Sequence, residues 1–188
     1  MEAMTVTDRV TSAQYLAMDT PRGTNLVDGE IVLSEPLKRH QQAQLRLAFA
    51  LHAWCIAGPG RGEATTPIDV LLDDDNTFAP DILWYSAGRD LPPADVRPQP
   101  LPDIAAEIRS PSTWRYDIGA KKARYEQHGL PELWLIDTAA DEVLVFRRSR
   151  RETSTFDVSE ELSRGDTLTS PLLPGFVLAL DELFVEGS

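Results

Sequence analysis

Two acidic residues occupy places where β-strands ought to bury apolar side chains. Asp81 follows Pro80 and starts the run Ile82-Leu83-Trp84-Tyr85, and Glu107 lies inside Ile104-Ala105-Ala106-Glu107-Ile108. A carboxylate in a central strand is costly unless it is paired, bound to a metal or placed at the strand end. If the two strands run side by side, the carboxylates meet and each raises the other's proton affinity until a cation relieves them. Oxygen-only ligands in that arrangement suit magnesium or manganese. Taken singly, each acid reads equally well as an ordinary ion pair or a strand-end cap.

A second group follows at helical spacing. Asp117, Lys121 and Tyr125 lie four residues apart and share one face. On the surface this is an Asp–Lys pair worth a few tenths of a kcal/mol. Turned inward, Lys121 points at the acids and stabilises charge on an attacking water or a phosphate. Periodicity does not choose between the two. From Glu107 to Tyr125 the chain carries Arg109, Arg115, Lys121, Lys122 and Arg124 against Glu107 and Asp117. That local positive excess reads either as a phosphate-facing patch or as a solvated helix face.

These residues need elements to hold them. Thr11 to Asp19 reads as a short helix capped by Thr11 or Ser12. Leu26 to Leu33 reads as a hairpin turning at Asp28-Gly29. Arg39 to Ile56 reads as a helix with Leu47, Leu51, Trp54 and Cys55 on its apolar face. The glycine-rich stretch Gly58 to Gly62 is a turn, because no capped helix follows it to cradle a phosphate. Thr66 to Leu72 and Phe78 to Tyr85 read as strands joined by the turn Asp73 to Asn76. A surface excursion rich in proline runs from Leu91 to Pro102. Ile104 to Ile108, apolar on both faces, is a central strand, and Arg115 to His128 is a helix closed by Gly129 and Pro131. Glu132 to Asp137 and Val143 to Arg148 read as strands about the turn Thr138 to Asp141. Short strands continue through Thr153 to Val158, and Asp181 to Phe184 forms a last helical turn. The order predicts one α/β domain spanning residues 1–188, its core from about 11 to 184, with a mixed sheet flanked by helices.

Taken together, the motifs resemble the Uma-two family of restriction-endonuclease-like bacterial proteins. The resemblance rests on Leu26-Val27-Asp28-Gly29-Glu30, Arg39-His40-Gln41, Pro80-Asp81, Glu107-Ile108-Arg109-Ser110-Pro111-Ser112, the Asp117/Lys121/Tyr125 stripe, Pro131-Glu132-Leu133-Trp134-Leu135-Ile136-Asp137 and Ser170-Pro171-Leu172-Leu173-Pro174-Gly175-Phe176. It covers the chain from about Ser12 to Phe184, and order and spacing carry it more than any single motif. It implies the PD-(D/E)XK nuclease superfamily, a restriction-endonuclease-like fold and magnesium- or manganese-dependent hydrolysis of phosphodiester bonds, with DNA the expected substrate. Asp81 and Glu107 would be the metal ligands and Lys121 the site lysine, with Lys122 the alternative on a rotated helix. Arg109 stands where such proteins usually carry a lysine, and arginine stays protonated, so it cannot act as a general base. Glu30 and His40 also match family positions and would extend the site. Asp117 and Tyr125 would fix the lysine, and Arg115, Lys122 and Arg124 would contact nucleic acid. The Arg109 departure leaves a second reading, a weakly active or inactive nuclease-fold binding or regulatory module.

Bulk properties limit the alternatives. The net charge of −12 disfavours broad electrostatic binding to nucleic acid or an anionic membrane, so any nucleic-acid contact has to be local. Cys55 is the one cysteine, so an intrachain disulfide is impossible, and a reducing, cytoplasmic setting is expected. No signal-peptide pattern is read in Met1-Glu2-Ala3-Met4, and no apolar run is long enough to span a bilayer. A hydrolase with a protein nucleophile is disfavoured. There is no Gly-x-Ser-x-Gly elbow, Cys55 falls on an apolar helix face, and His40, His52 and His128 show no zinc-like spacing. Trp114, in the loop after Glu107, is a candidate base-stacking residue. A homodimer is expected because it would suit a cutter of two strands.

Overall fold

The computed structural model describes residues 9–185; the reading of the N-terminal four residues lies outside them. The element order is α1 (Ser12–Ala17), β1 (Thr24–Val27), β2 (Glu30–Leu33), α2 (Lys38–Ile56), β3 (Glu63–Thr65), β4 (Val70–Asp73), β5 (Asn76–Phe78), β6 (Ile82–Tyr85), β7 (Ile104–Ile108), α3 (Trp114–Tyr116), a π-helical turn (Asp117–Lys121), α4 (Lys122–Gln127), β8 (Glu132–Asp137), β9 (Glu142–Arg147), β10 (Val158–Leu162), β11 (Thr167–Leu168), β12 (Leu178–Ala179) and α5 (Leu180–Leu183). The largest sheet runs β10-β9-β8-β7-β6-β3. Its one parallel pair is β7–β8 and the rest is antiparallel. A four-stranded sheet, β2-β1-β5-β4, packs beside it, and β11–β12 form a small ribbon. This is the mixed sheet with flanking helices that the sequence predicts.

Local chemistry accounts for the elements. Thr11 and Gln14 make a reciprocal capping box on α1. Asp28 and Gly29 turn the β1–β2 hairpin with φ of 50° and 79°, the paired positive angles a two-residue hairpin turn needs. The alternation of β7 sends Ile104, Ala106 and Ile108 toward α2, where they meet Leu47, Leu51, Trp134 and Leu180. Ala105 faces the other way, into the cluster of Phe78, Tyr125, Leu133 and Leu135. Glu107, two residues on from Ala105, shares that second face.

One expected strand is shortened and another is divided. Of the strand expected from Thr66 to Leu72, only the end from Val70 is strand, in β4; β3 ends before it, at Thr65, and belongs to a different sheet. Phe78 to Tyr85 was to be one strand, but β5 ends at Phe78 and β6 starts at Ile82. Prolines explain both breaks, because Pro67 and Pro80 have no amide hydrogen for a ladder. At the second break the Ala79 amide donates to Asn25 Oδ1 (2.8 Å) instead of to a strand partner. Thr153 to Val158 is also not strand until Val158, where β10 begins. Among the described residues no helix is long and apolar enough to cross a membrane.

Candidate functional site

The chain leaves the small sheet at Phe78 and enters the large one at Ile82, so Asp81 lies at the mouth of β6. The antiparallel register pairs Ile82 with Ala106 and Leu83 with Ala105. One step further along the same register places Asp81 opposite Glu107 on one face, where Cβ atoms of directly opposed residues stand about 5 Å apart. Asp81 is held from two sides. Its Oδ2 accepts from the Ile108 amide (2.7 Å), and its Oδ1 lies 3.1 Å from His40 Nε2 at the start of α2. Gln44, one helical turn after His40, donates to the Asp81 carbonyl (3.0 Å).

Glu107 is 3% exposed. Its Oε1 accepts from Tyr125 Oη (2.6 Å) and from Lys121 Nζ (2.7 Å), and its Oε2 takes neither bond. Lys121 Nζ also lies 3.1 Å from Asp117 Oδ1, while Thr113 donates to Asp117 Oδ2 (3.2 Å). Asp117, Lys121 and Tyr125 therefore point inward, which resolves the choice that periodicity left open. Lys121 also lies 5.5 Å from the Phe78 ring, whose edge packs on Tyr125.

The electrostatics follow from burial. Burial pushes the Glu107 carboxyl up to about 7, with Lys121 opposing and Asp117 and Asp81 adding to the rise. Burial likewise raises Asp117 against the pull of Lys121. For Lys121, burial favours the neutral amine, but Glu107 and Asp117 more than offset it and hold the ammonium above its ordinary value. Burial raises the Tyr125 hydroxyl well above its usual range, and Glu107 raises it further, so Tyr125 stays a donor. Burial would lower His40, yet its hydrogen bond and charge attraction to Asp81 raise it. His40 Nδ1 is buried without a hydrogen-bond partner among the described residues.

A divalent cation fits this donor set. Three carboxylates converge against one ammonium and one imidazole, and burial, with Asp117 and Asp81 nearby, holds the Glu107 carboxyl above its ordinary value. Among the described residues no group of three or more His, Cys, Asp or Glu side chains forms a ready cage. Magnesium does not require one, since it is commonly bound by one or two carboxylates with water and phosphate oxygens completing the shell. Asp81 and Glu107 are the pair that would hold it. Asp117 is committed to Lys121 and Thr113.

Other candidates stand elsewhere. Tyr125 fixes Glu107, not the lysine it was expected to fix. Lys122 Nζ sits 4.4 Å over Phe146, away from the acids, whereas Lys121 is the lysine placed beside Glu107. Arg109 bonds both oxygens of Asp137 (3.0 and 2.8 Å). Arg109 also covers the ring of Trp114, which packs on the second core cluster. Arg124 pairs with Asp28 (2.7 Å). Arg115 donates to Tyr116 Oη, which donates in turn to the exposed Glu30. Arg115, Lys122 and Arg124 thus lie against the hairpin and β9, not in one patch beside Glu107. Thr113 and Gln44 are site residues outside the sequence motifs. A hydroxyl four residues before Asp117 and an amide four after His40 were the available signals.

A mixed sheet bearing opposed acids at the β6–β7 register, with a helix-borne lysine above them, defines a restriction-endonuclease-like fold. The chain belongs to the Uma2 family, whose model, described as "Putative restriction endonuclease", matches residues 12–181. A crystal structure described as a "putative nuclease belonging to DUF820", from Anabaena variabilis, is similar in fold. Its TM-score is 0.76 at 18% identity, over 93% of this chain and 97% of that one. No curated protein matches the chain.

Proposed function

We propose that this protein is a metal-dependent nuclease that hydrolyses phosphodiester bonds of nucleic acid, with DNA the favoured substrate. The supporting observation is the buried constellation itself: Asp81 opposed to Glu107, with the Lys121 ammonium 2.7 Å from Glu107. Magnesium or manganese bound by Asp81 and Glu107 would supply Lewis acidity and a water of lowered pKa. His40 orients the Asp81 carboxylate through Nε2. Tyr125 orients Glu107 through a short hydrogen bond. Lys121, kept protonated by two acids, offers a fixed positive charge to a phosphate oxygen or attacking water. Asp117 and Thr113 fix that ammonium in place.

The test is cleavage of plasmid and of single-stranded DNA with magnesium or manganese, comparing parent, Asp81→Ala and Lys121→Ala. Cleavage that disappears in both variants supports the reading; equal cleavage by all three ends it. One observation favours the second reading, a weakly active or inactive binding module. Lys121 is 3% exposed and already occupied by two carboxylates. A manganese-induced rise in melting temperature that vanishes in Glu107→Ala separates a working metal site from an inert scaffold.

A further inference from the structure

We propose that the groove between α2 and β3 is a track for single-stranded nucleic acid leading to Asp81, with Phe49 and His52 as base-stacking platforms; this rests on the nuclease reading. The acids are recessed, and a cavity of about 540 Å³ opens onto Asp81 and His40 between α2 and the loops carrying Arg22, Pro36 and Pro67. A second cavity of about 370 Å³ continues from it, sharing Leu45, Ala48 and Thr66 as walls and ending at Phe49 and His52. Together they follow α2 from His40 to His52, about 18 Å at 1.5 Å per residue. Stacked bases repeat every 3.4 Å or so, so several nucleotides fit along it. A space this size accepts an unstacked nucleotide, whereas a paired duplex would present only its outer backbone.

The chemistry of the walls points the same way. The chain carries 30 acidic residues, yet α2 has none between Lys38 and Ile56, and among the described residues Asp81 is the sole acid lining either cavity. Arg22 makes no ion pair among the described residues and stands exposed where the groove meets the site, free to take a backbone phosphate. Leu45, Phe49, His52 and Ile56 form an exposed stripe at helical spacing, with Phe49 73% exposed. None of these side chains serves the core, which α2 meets through Leu47, Leu51 and Cys55. Exposed rings beside a groove whose one acid is the site's own Asp81 bind single strands without sequence preference, because every base offers a π-face. The same groove gives a chain of net charge −12 a place to meet a polyanion: contact is confined to α2, which carries no acidic residue over its 19 positions. A duplex would first have to extrude a nucleotide.

Fluorescence polarisation of a labelled oligonucleotide, as single strand and as duplex, tests this on the full chain without divalent metal, so the result does not depend on cleavage. Single-strand binding should exceed duplex binding by tenfold or more. Phe49→Ala should weaken it about 5- to 150-fold, and Phe49→Tyr should retain it. Equal binding of both forms, no binding of either, or a Phe49→Ala variant that binds like the parent overturns the track. Light scattering runs alongside: a parent dimer that becomes monomeric in Phe49→Ala, with single-strand binding unchanged, would make the stripe a self-association surface and overturn it too. Phe49-dependent binding without Asp81-dependent cleavage keeps the track and withdraws the nuclease reading.

Discussion

The buried carboxyl of Glu107 makes the stability of the metal-free protein depend on pH in a window that can be worked out in advance. Its folded pKa is about 7 against an ordinary 4.5. Between those values the folded chain binds more protons than the unfolded chain, so stability falls as pH rises. The contribution is fully present below about 4.5 and lost by the time the folded pKa has been passed. The gap of about 2.5, at 1.36 kcal/mol for each pH unit, amounts to about 3 kcal/mol. At 3% exposure little solvent screening reduces it. For a chain of this size that is roughly 6–12 °C in melting temperature. Burial also raises the Asp117 and Glu132 carboxyls above their ordinary values, so the quantity to measure is a difference. Urea unfolding of parent and Glu107→Gln in EDTA, from about pH 4.5 to about pH 8, should show the variant gaining about 3 kcal/mol relative to the parent. Saturating manganese should shrink that gain, because a cation restores the carboxylate and competes with the proton. A difference flat to within about 0.5 kcal/mol across the window would mean that Glu107 ionises normally and that the cluster does not lack positive charge.

Tyr125→Phe removes the buried donor to Glu107 and should cost about 1.5–3 kcal/mol in urea unfolding; a loss below about 0.5 kcal/mol would show that the 2.6 Å bond contributes little. Asn25→Ala orphans the Ala79 amide where the chain breaks before Asp81, so a loss of about 1–3 kcal/mol is expected, and an unchanged unfolding midpoint would mean water replaces it. Arg109→Ala should leave the manganese dependence of melting unchanged, since Arg109 serves Asp137, which the Ala139 and Ala140 amides also cap; a tenfold loss of metal affinity would place Arg109 in the site after all.

Sequence legibility tracked how local each cause is. The β1–β2 turn, the α1 cap and the strand around Glu107 were readable because their determinants lie within a few residues. The breaks near Pro67 and Pro80 are less legible, because β-prone residues flank each proline and the chain's change of sheet there is a tertiary event. Charge counting between Glu107 and Tyr125 gave no account of partners, and the partner of Arg124 is Asp28, 96 residues away in the chain. On α2 the core stripe of Leu47, Leu51 and Cys55 is not the whole pattern. Leu45, Phe49 and Ile56 lie opposite the core face, so the helix is apolar on two sides, a pattern that itself asks what the second side meets.

The helix above the acids shows why the stripe was legible while its aim was not. At 3.6 residues per turn, positions four apart advance about 40°, so Asp117 and Tyr125 would diverge by about 80° on a straight α-helix. The π-helical turn from Asp117 to Lys121 winds more slowly and cancels part of that drift. Asp117 and Tyr125 can then both converge on the space between Lys121 and Glu107. Backbone angles there remain helical, so no residue type announces the wider turn. What holds it is tertiary: three polar groups reach one buried carboxylate cluster, and Phe78 packs against Tyr125. The helix is therefore wound to suit the acids, and the acids are placed by a proline break in one strand and the register of the next.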